Sequence, residues 1–573
     1  MNGSRGGPRF PVSGTEPHPL ETLAIRVLGA VAAASLILWA TGEVAGRLFR
    51  GKWPSVGAGE MGGVLTRFVS HTRNPAAAWP DSMKGLIPGP LAFYATFGIV
   101  FVPTLAAALL VAKRTHVSSG KTAARWARSR DLRPLRVRAH ESGRLTLGRV
   151  DGRLVAAEAR QSAIVVGPTQ TGKTTGFAIP AILEWQGPVV ATSIKTDLLR
   201  ETLAARSAIP DATTLVYDPT GSTGFPSAGW TPLMECLTWQ GAQRVAEWLV
   251  RGARPGGGTS DGAEFWYGAT AKLLAPILLG AACSGGTMAQ VVQWVDLQED
   301  ESVRWALEQN DEQEALNAFE AVSLWDERTR GSVYATAQTV LIAYADPGVL
   351  SSALTAELRA ERILDGGWHT AYLCAPAHEQ RRLQPLFATL VQEIVAHAYD
   401  RNTETGKPLD PPLLLVLDEC ANIAPLRDLA TLASTGAGQG IQLVSVFQDM
   451  AQINAVYGRD RAPTIVSNHR AKVILSGIAD PHTLDYLARL LGHEEVRQVS
   501  ATSGAEGRHS TTESVTYRNL APANVLREMR PGQGVLVYGH LAPARITLRP
   551  WFKDRRLRQL AERPARRVEA ALP

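Results

Sequence analysis

Cysteine is scarce in this chain: Cys236, Cys283, Cys374 and Cys420 are the only four in 573 residues, with no C-x-x-C pair and no Cys/His cluster. That excludes a disulfide framework and clustered zinc ligation, and the four read as small buried residues in a reducing compartment. One-sided charge is missing too. A net charge of +6 permits contact with nucleic acid or anionic lipid without demanding it. A cleaved signal peptide fits poorly, because Glu16 and Glu21 stand where its basic leader would be. Charge vanishes altogether over 86–112 (LIPGPLAFYATFGIVFVPTLAAALLVA), a run longer than the roughly 20 residues that cross a bilayer.

That run reads as a membrane span. An earlier one, Val27 to Gly42, reaches spanning length if Leu23 to Ile25 join it and Arg26 snorkels toward the headgroups. A two-span anchor over about 23–42 and 86–112 is therefore expected. After the second span, Lys113, Arg114, Lys121, Arg125, Arg128, Arg130, Arg133, Arg136 and Arg138 face only Asp131. Such a block favours the cytoplasmic side and anionic headgroups, although the loop from Glu43 to Lys84 is slightly basic as well. A merely solvated linker is the plainer reading of the same block.

At 573 residues the chain exceeds one core, and two to four domains are expected. The most informative stretch is Gly167-Pro168-Thr169-Gln170-Thr171-Gly172-Lys173-Thr174, followed by Thr175 and preceded by the apolar run Ser162 to Val166. It fits G-x-x-x-x-G-K-[ST] between a strand and a helix. Gly167 and Gly172 permit backbone geometries that turn successive N–H groups around a phosphate. Lys173 supplies a charge for the β/γ-phosphates, and the Thr174 hydroxyl suits Mg²⁺. A Gly/Thr-rich surface turn is the bland alternative, but the flanking strand and helix speak against it. ATP and Mg²⁺ are the expected ligands.

Downstream, Lys173 to Trp185 reads as a helix bent near Pro180. Pro188 to Ile194 and Thr213 to Tyr217 read as strands, with a helix from Leu198 to Ala208 between them. This alternation predicts an α/β fold with a doubly wound, mainly parallel sheet that binds ligands at its carboxyl edge. A flexible loop over Gly252 to Gly262 and a hydrophobic helix around Phe265 to Ala282 follow. From Thr287 to about Ala356 the pattern is helical and acidic, with Trp294, Trp305 and Trp325 interleaved. Its negative field would repel a phosphate backbone, so it is expected to meet a protein or to face the central entry of a ring without gripping DNA, with a plain solvated face as the alternative.

The sheet resumes at Thr370 to Ala375, with a helix over His378 to Arg401. Further strands are expected at Leu413 to Asp418, Ile441 to Phe447, Lys472 to Gly477, Val535 to Tyr538 and Arg545 to Leu548. Ala501 to Thr516 reads as a mobile Ser/Thr/Gly-rich loop, and the Arg-rich tail after Asp554 has no evident role. The expected domains are the anchor (1–112), a basic linker (113–150), a nucleotide-binding domain in two parts (151–284 and 357–554), the helical insertion (285–356) and the tail (555–573).

The strand LLLVLDE delivers Asp418 and Glu419 at its carboxyl end. Asp418 is expected to help hold Mg²⁺ and Glu419 to polarise an attacking water. Gln448, at the end of IQLVSVFQ, is placed to orient that water or sense the γ-phosphate. An ordinary apolar strand with a terminal amide is the alternative for each.

The run LDECANIAPLRDLATLASTGAGQGIQLVSVFQDMAQINAVYG resembles the type IV secretion coupling proteins, the membrane-anchored TraG/TraD-like ATPases of conjugation. KVILSGIADPHTLDYLARLLG and PGQGVLVYG continue the resemblance, as does the order of spans, phosphate loop, helical domain and second nucleotide motif. It implies a RecA-like fold and a homohexameric ring in the inner membrane with its ATPase domain in the cytoplasm. It also implies a motor that moves DNA, single-stranded and without sequence preference, or a relaxase–DNA complex toward a secretion channel. By the same resemblance Lys173, Glu419 and Gln448 are catalytic, while Thr174 and Asp418 hold the metal. Abundant Ala, Arg and Gly fit a GC-rich, actinobacterium-like source.

Two departures stand out. Gly436-Ala437-Gly438-Gln439 lacks the arginine that this family often carries there to reach a neighbouring subunit's ATP; either Arg427 or Arg470 substitutes, or hydrolysis depends less on such a finger. Ser193-Ile194-Lys195 replaces an Asp-Pro-Lys-like run, with Lys195 as a pocket residue. An FtsK-like translocase fits less well, since no winged-helix domain follows the core. A membrane receptor for secreted proteins, switched by ATP, remains the alternative of another class.

Overall fold

The computed structural model describes residues 19–57, 59–116, 123–194, 196–254, 261–503 and 509–563. The chain divides into two compact units, Met1–Thr122 and Ala123–Pro573. Lys195, Lys121 and the tail beyond 563 lie outside the described residues.

The first unit contains two long helices, Pro19–Arg50 and Pro90–His116. Both hold windows long and apolar enough to cross a membrane, Val31–Arg50 and Pro90–Ala107. The first helix thus runs past the expected end at Gly42. Glu43, a good helix former, follows Gly42 and is buried, and its carboxylate accepts the Val56 N–H at 3.0 Å. Between the long helices, Val56, Met61, Val64, Trp79, Ile87 and Phe93 close a small apolar core. Gly42 is required there, because a Cβ would sit 2.5 Å from the Trp79 ring.

The second unit is built on an 11-stranded sheet. In chain order its strands are β1 (Thr146–Val150), β2 (Arg153–Ala156), β3 (Ala163–Val166), β4 (Val189–Ser193), β5 (Thr214–Tyr217), β6 (Thr370–Cys374), β7 (Leu413–Leu417), β8 (Ile441–Phe447) and β9 (Ala471–Leu475). A separate hairpin, β10 (His493–Ser503) and β11 (His509–Asn519), precedes β12 (Gln533–Tyr538) and β13 (Ala544–Thr547). The spatial order is β2-β1-β13-β12-β9-β3-β8-β7-β4-β6-β5. From β9 to β5 every pairing is parallel; β12, β13, β1 and β2 add an antiparallel wing.

The parallel strands inside the edge strand β5, namely β3, β4, β6, β7, β8 and β9, are buried on both faces, which explains their mainly apolar runs. Leu413, Leu415 and Leu417 enter one core, while Leu414 and Val416 enter the other. Ile164 and Val166 divide from Ala163 and Val165 in the same way.

Helices fill the interval between β5 and β6. They take in Trp239–Ala253 and Asp261–Cys283 as well as the acidic helices Met288–Leu297, Asp300–Gln309 and Gln313–Ser323. The helical block therefore reaches further toward the N-terminus than 285, because burial and not acidity sets its limit. Glu264–Cys283 is apolar enough to span a membrane, yet 61% of it is buried inside the protein. Its apolarity serves this block's core.

The loop expected over Ala501 to Thr516 is a correction. Residues up to Ser503 and from His509 pair as the β10–β11 ribbon, with Val496 opposite Thr516 and Glu495 opposite Tyr517. Thr and Val, β-branched and alternating with polar residues, favour a strand over the Ser/Gly signal.

Candidate nucleotide site

Parallel register sets the site. Val166 of β3 pairs with Phe447 of β8, and Leu417 of β7 pairs with Ser445 of β8. The residues that follow β3 and β7 therefore emerge at the carboxyl edge on either side of β8, where Gln448 begins. Gly167, Asp418 and Gln448 meet there although they lie far apart in the chain.

The loop after β3 needs both of its glycines. A Cβ at Gly167 would stand 2.8 Å from Leu475 Cβ, and Gly172 adopts a φ of +88°. Gln170 also lies in the left-handed region, at +64°. Lys173 is buried, and its Nζ donates to the carbonyls of Gly167 at 2.6 Å and Pro168 at 2.8 Å. Thr174 Oγ1 donates to Asp418 Oδ2 at 2.9 Å. Thr192 fixes the Asp418 backbone through a 3.1 Å bond to its carbonyl.

Burial and the neighbouring Glu419 charge push the Asp418 carboxyl up to about 7, although the Thr174 hydroxyl and the Lys173 charge oppose them. Asp418 Oδ1 is buried with no hydrogen-bond partner among the described residues. A cation beside Thr174 and Asp418 would satisfy that atom, so the donor set fits Mg²⁺.

Glu419 adopts a left-handed φ of +56°. Its Oε2 accepts from Asn422 Nδ2 at 3.1 Å and from Gln448 Nε2 at 3.3 Å. A second bond holds Gln448: its N–H donates to Gln452 Oε1 at 2.8 Å.

Thr169, Gln170, Gly172 to Thr175, Asp418 and Glu419 line a cavity of about 220 Å³, together with Ile194 and Asp197. Asp197 was not singled out from the sequence. It stands in the first turn of the helix Thr196–Ser207, directly after β4. The strand–helix junction next to β7 was the available signal.

Neither Arg427 nor Arg470 is among the residues that line this cavity. Arg427 Nη2 donates to the Arg254 carbonyl at 2.9 Å, and burial lowers its pKa. Arg470 lies 5.6 Å from the Tyr538 ring and 3.8 Å from Glu158. Gly436 to Gln439 form the end of the helix Leu429–Gln439, which Gly440 caps at φ +82°.

The sequence profile of the family described as "Type IV secretory system Conjugative DNA transfer" matches residues 121–572. The chain belongs to this family. A probable conjugal transfer protein TraG of Sinorhizobium fredii (strain NBRC 101917 / NGR234) is 24% identical over 397 residues, which is 66% of this chain and 60% of that protein. The match thus spans less than two thirds of that relative. Protein VirD4 of Agrobacterium fabrum (strain C58 / ATCC 33970) is 24% identical over 498 residues, 82% of this chain and 72% of that one. In structure the chain is similar to the plasmid coupling protein TrwB in complex with ADP and Mg²⁺. The TM-score is 0.56 at 18% identity, over 74% of this chain and 94% of that one. The family and the TrwB-like fold of parallel sheet with helices follow from these likenesses.

Proposed function

We propose that this chain is a membrane-anchored coupling ATPase that recruits DNA or a relaxase–DNA complex and drives it toward a type IV secretion channel. The observation that carries the reading is the meeting of the phosphate loop with Asp418 and Glu419 around one cavity, through the Thr174–Asp418 hydrogen bond. Family membership and the TrwB complex with ADP and Mg²⁺ support it.

In this reading the amides from Thr169 to Thr175 cradle the triphosphate. Lys173 leaves the Gly167 and Pro168 carbonyls for the β/γ-phosphates. Thr174 and Asp418 would hold Mg²⁺, which would neutralise charge on the phosphate oxygens. Glu419 accepts a proton from the attacking water, and Gln448, bonded to the same carboxylate, aligns that water and reports on the γ-phosphate. The two N-terminal helices cross the inner membrane with the ATPase unit in the cytoplasm, and six copies form the ring. Single-stranded DNA is then held through its backbone, without reading of sequence.

The test is ATP turnover by the full chain in detergent, with and without single- and double-stranded DNA. DNA-stimulated turnover that Lys173→Ala abolishes, together with conjugative transfer, is expected. Turnover indifferent to DNA, with transfer intact in Lys173→Ala, overturns the motor. ATP binding without turnover in assembled wild-type protein favours an ATP-switched receptor. Alkaline-phosphatase fusions active within 51–89 and inactive after 123 are expected from the two-span topology; the reverse pattern overturns it.

A further inference from the structure

Basic charge is unevenly shared along the chain. Residues 123–160 carry ten arginines against four carboxylates, and residues 544–563 carry seven basic side chains against two, while the whole chain nets only +6. The fold brings these two stretches together on the antiparallel wing. Arg149 of β1 pairs with Thr547 of β13, and the Ala127 N–H donates to the Pro543 carbonyl at 2.7 Å. The Arg545 guanidinium lies 5.1 Å from the centre of the Trp126 ring. Arg149, Arg545 and Thr547 are exposed, whereas Val150, Ala544 and Ile546 on the same strands enter the core.

The segment after β13 continues this surface. Arg149 and Thr547 line a cavity of about 670 Å³ together with Lys553, Arg555, Arg556 and Gln559. Its carboxylate, Asp554, is engaged by Arg549 at 3.2 Å and Arg149 at 3.4 Å. Arg549 is bound in turn by Glu184 of the helix Ile179–Glu184. Lys553, Arg555 and Arg556 are exposed, and among the described residues no carboxylate lies within ion-pair reach of them. Phe552 stands beside them, 46% exposed and edge-to-face with Trp551, and Lys553 Nζ lies 6.0 Å from the centre of its ring.

We propose that this wing seats the protein on anionic phospholipid: headgroup phosphates meet Lys553, Arg555 and Arg556 at the cavity, and Phe552 enters the interface beside them. The inference rests on the membrane-anchor reading above and adds a second, folded contact from the far end of the sequence. Six residues, 117–122, separate the helix Pro90–His116 from Ala123, a tether that extends to at most about 25 Å. So short a tether keeps the effective concentration of headgroups high. Each basic side chain close to an anionic leaflet strengthens attachment by about fivefold, and an aromatic ring flanked by cations suits the headgroup boundary. Nucleic acid would satisfy the charge but would gain nothing from the tether; it is the competing occupant.

Hydrogen exchange by the full chain in nanodiscs tests the proposal, with phosphatidylcholine alone or mixed with phosphatidylglycerol. Amides of 549–561 are expected to exchange about fivefold or more slowly in the anionic discs at about 0.1 M salt, and equally fast in both discs at about 1 M. Amides of the acidic helix Asp300–Gln309 are expected to exchange equally in both. Lys553→Gln/Arg555→Gln/Arg556→Gln is expected to abolish the difference between discs, while ATP turnover in detergent stays within about twofold of wild type. Equal exchange of 549–561 in both discs at the lower salt, or a difference that the triple variant retains, overturns the proposal and leaves the anchor standing. Slowing of Asp300–Gln309 to the same degree marks a change of the whole unit and also overturns it. If single-stranded DNA added to phosphatidylcholine discs protects 549–561 as strongly as the anionic lipid does, the surface belongs to nucleic acid and the lipid assignment falls. A chain that inserts into neither disc overturns the anchor reading and the proposal together.

Discussion

Thr174 and Asp418, 244 positions apart, are joined by a 2.9 Å hydrogen bond from Oγ1 to Oδ2. The bond satisfies one carboxylate oxygen and leaves Oδ1 buried without a partner among the described residues. Charge on Asp418 therefore costs free energy until a cation arrives.

The pH dependence follows from that cost. With its pKa raised from 3.8 to about 7, Asp418 binds more protons in the folded state than in the unfolded state between these values. Stability of the metal-free protein accordingly falls as pH rises through this window. Three units correspond to at most about 4 kcal/mol, and Asp418→Asn should recover a large part of that at pH 8. Thermal melts from pH 5 to 8 without divalent cation check this. Parallel profiles for wild type and variant would refute the role assigned to burial. In Mg²⁺-nucleotide titrations, wild-type affinity should rise with pH across the same interval.

Lys173 rests on the Gly167 and Pro168 carbonyls. Its ammonium must exchange those two acceptors for phosphate oxygens when a nucleotide binds. Lys173→Ala should lower turnover at saturating ATP by about 10²-fold or more, since charge at the transferred phosphoryl group is lost. The melting temperature should change by only a few degrees. A melt that collapses would instead identify Lys173 as a structural plug.

The phosphate loop, the mainly parallel sheet and the Asp418–Glu419 strand end were legible because each carries a local signal: glycine spacing, apolar runs and a terminal acid pair. Ile441 to Phe447 was read to the residue for the same reason. Asp197 was hidden, since its place depends on β4 lying beside β7. The β10–β11 ribbon was misread because Ser and Gly around residue 504 masked the alternation of Val496, Thr516 and their neighbours. The extent of the helical block was also obscured. Acidity marks only its solvent-facing helices, whereas Leu273, Leu274, Ile277 and Leu278 on Asp261–Cys283 form its interior.

Glu419 and Gln448 share a bond through Glu419 Oε2 at 3.3 Å. Glu419→Gln should leave ATP affinity within a few-fold and reduce kcat by about 10²-fold or more, because the base is removed while the cradle is not. Gln448→Ala should cost less, about tenfold in kcat, by freeing the Glu419 carboxylate to rotate. Separate measurement of nucleotide Kd and kcat distinguishes the two roles. Loss of affinity without loss of kcat in either variant would remove it from the chemical step.

Arg549 clamps Glu184 with two bonds, 2.9 and 3.0 Å long, inside the protein. It ties the end of β13 to the helix that Pro180 begins. His140 Nδ1 lies 3.9 Å from the same carboxylate; burial lowers the His140 pKa, and neither ring nitrogen makes a hydrogen bond among the described residues. Arg549→Met removes one partner of a buried pair and should cost about 3–5 kcal/mol in denaturant unfolding. The variant should also reverse the pH response of this group. In wild type the folded-state pKa of His140 is depressed, so lowering the pH through 6.5 lessens stability. Without Arg549 the Glu184 charge turns to His140, the folded-state pKa rises, and stability is gained below 6.5 and lost as pH climbs. Denaturant melts at pH 5.5 and 8 measure both slopes, and His140→Phe in the Arg549→Met background should abolish the difference. Equal slopes in wild type and Arg549→Met would mean that the carboxylate finds another partner when the clamp opens.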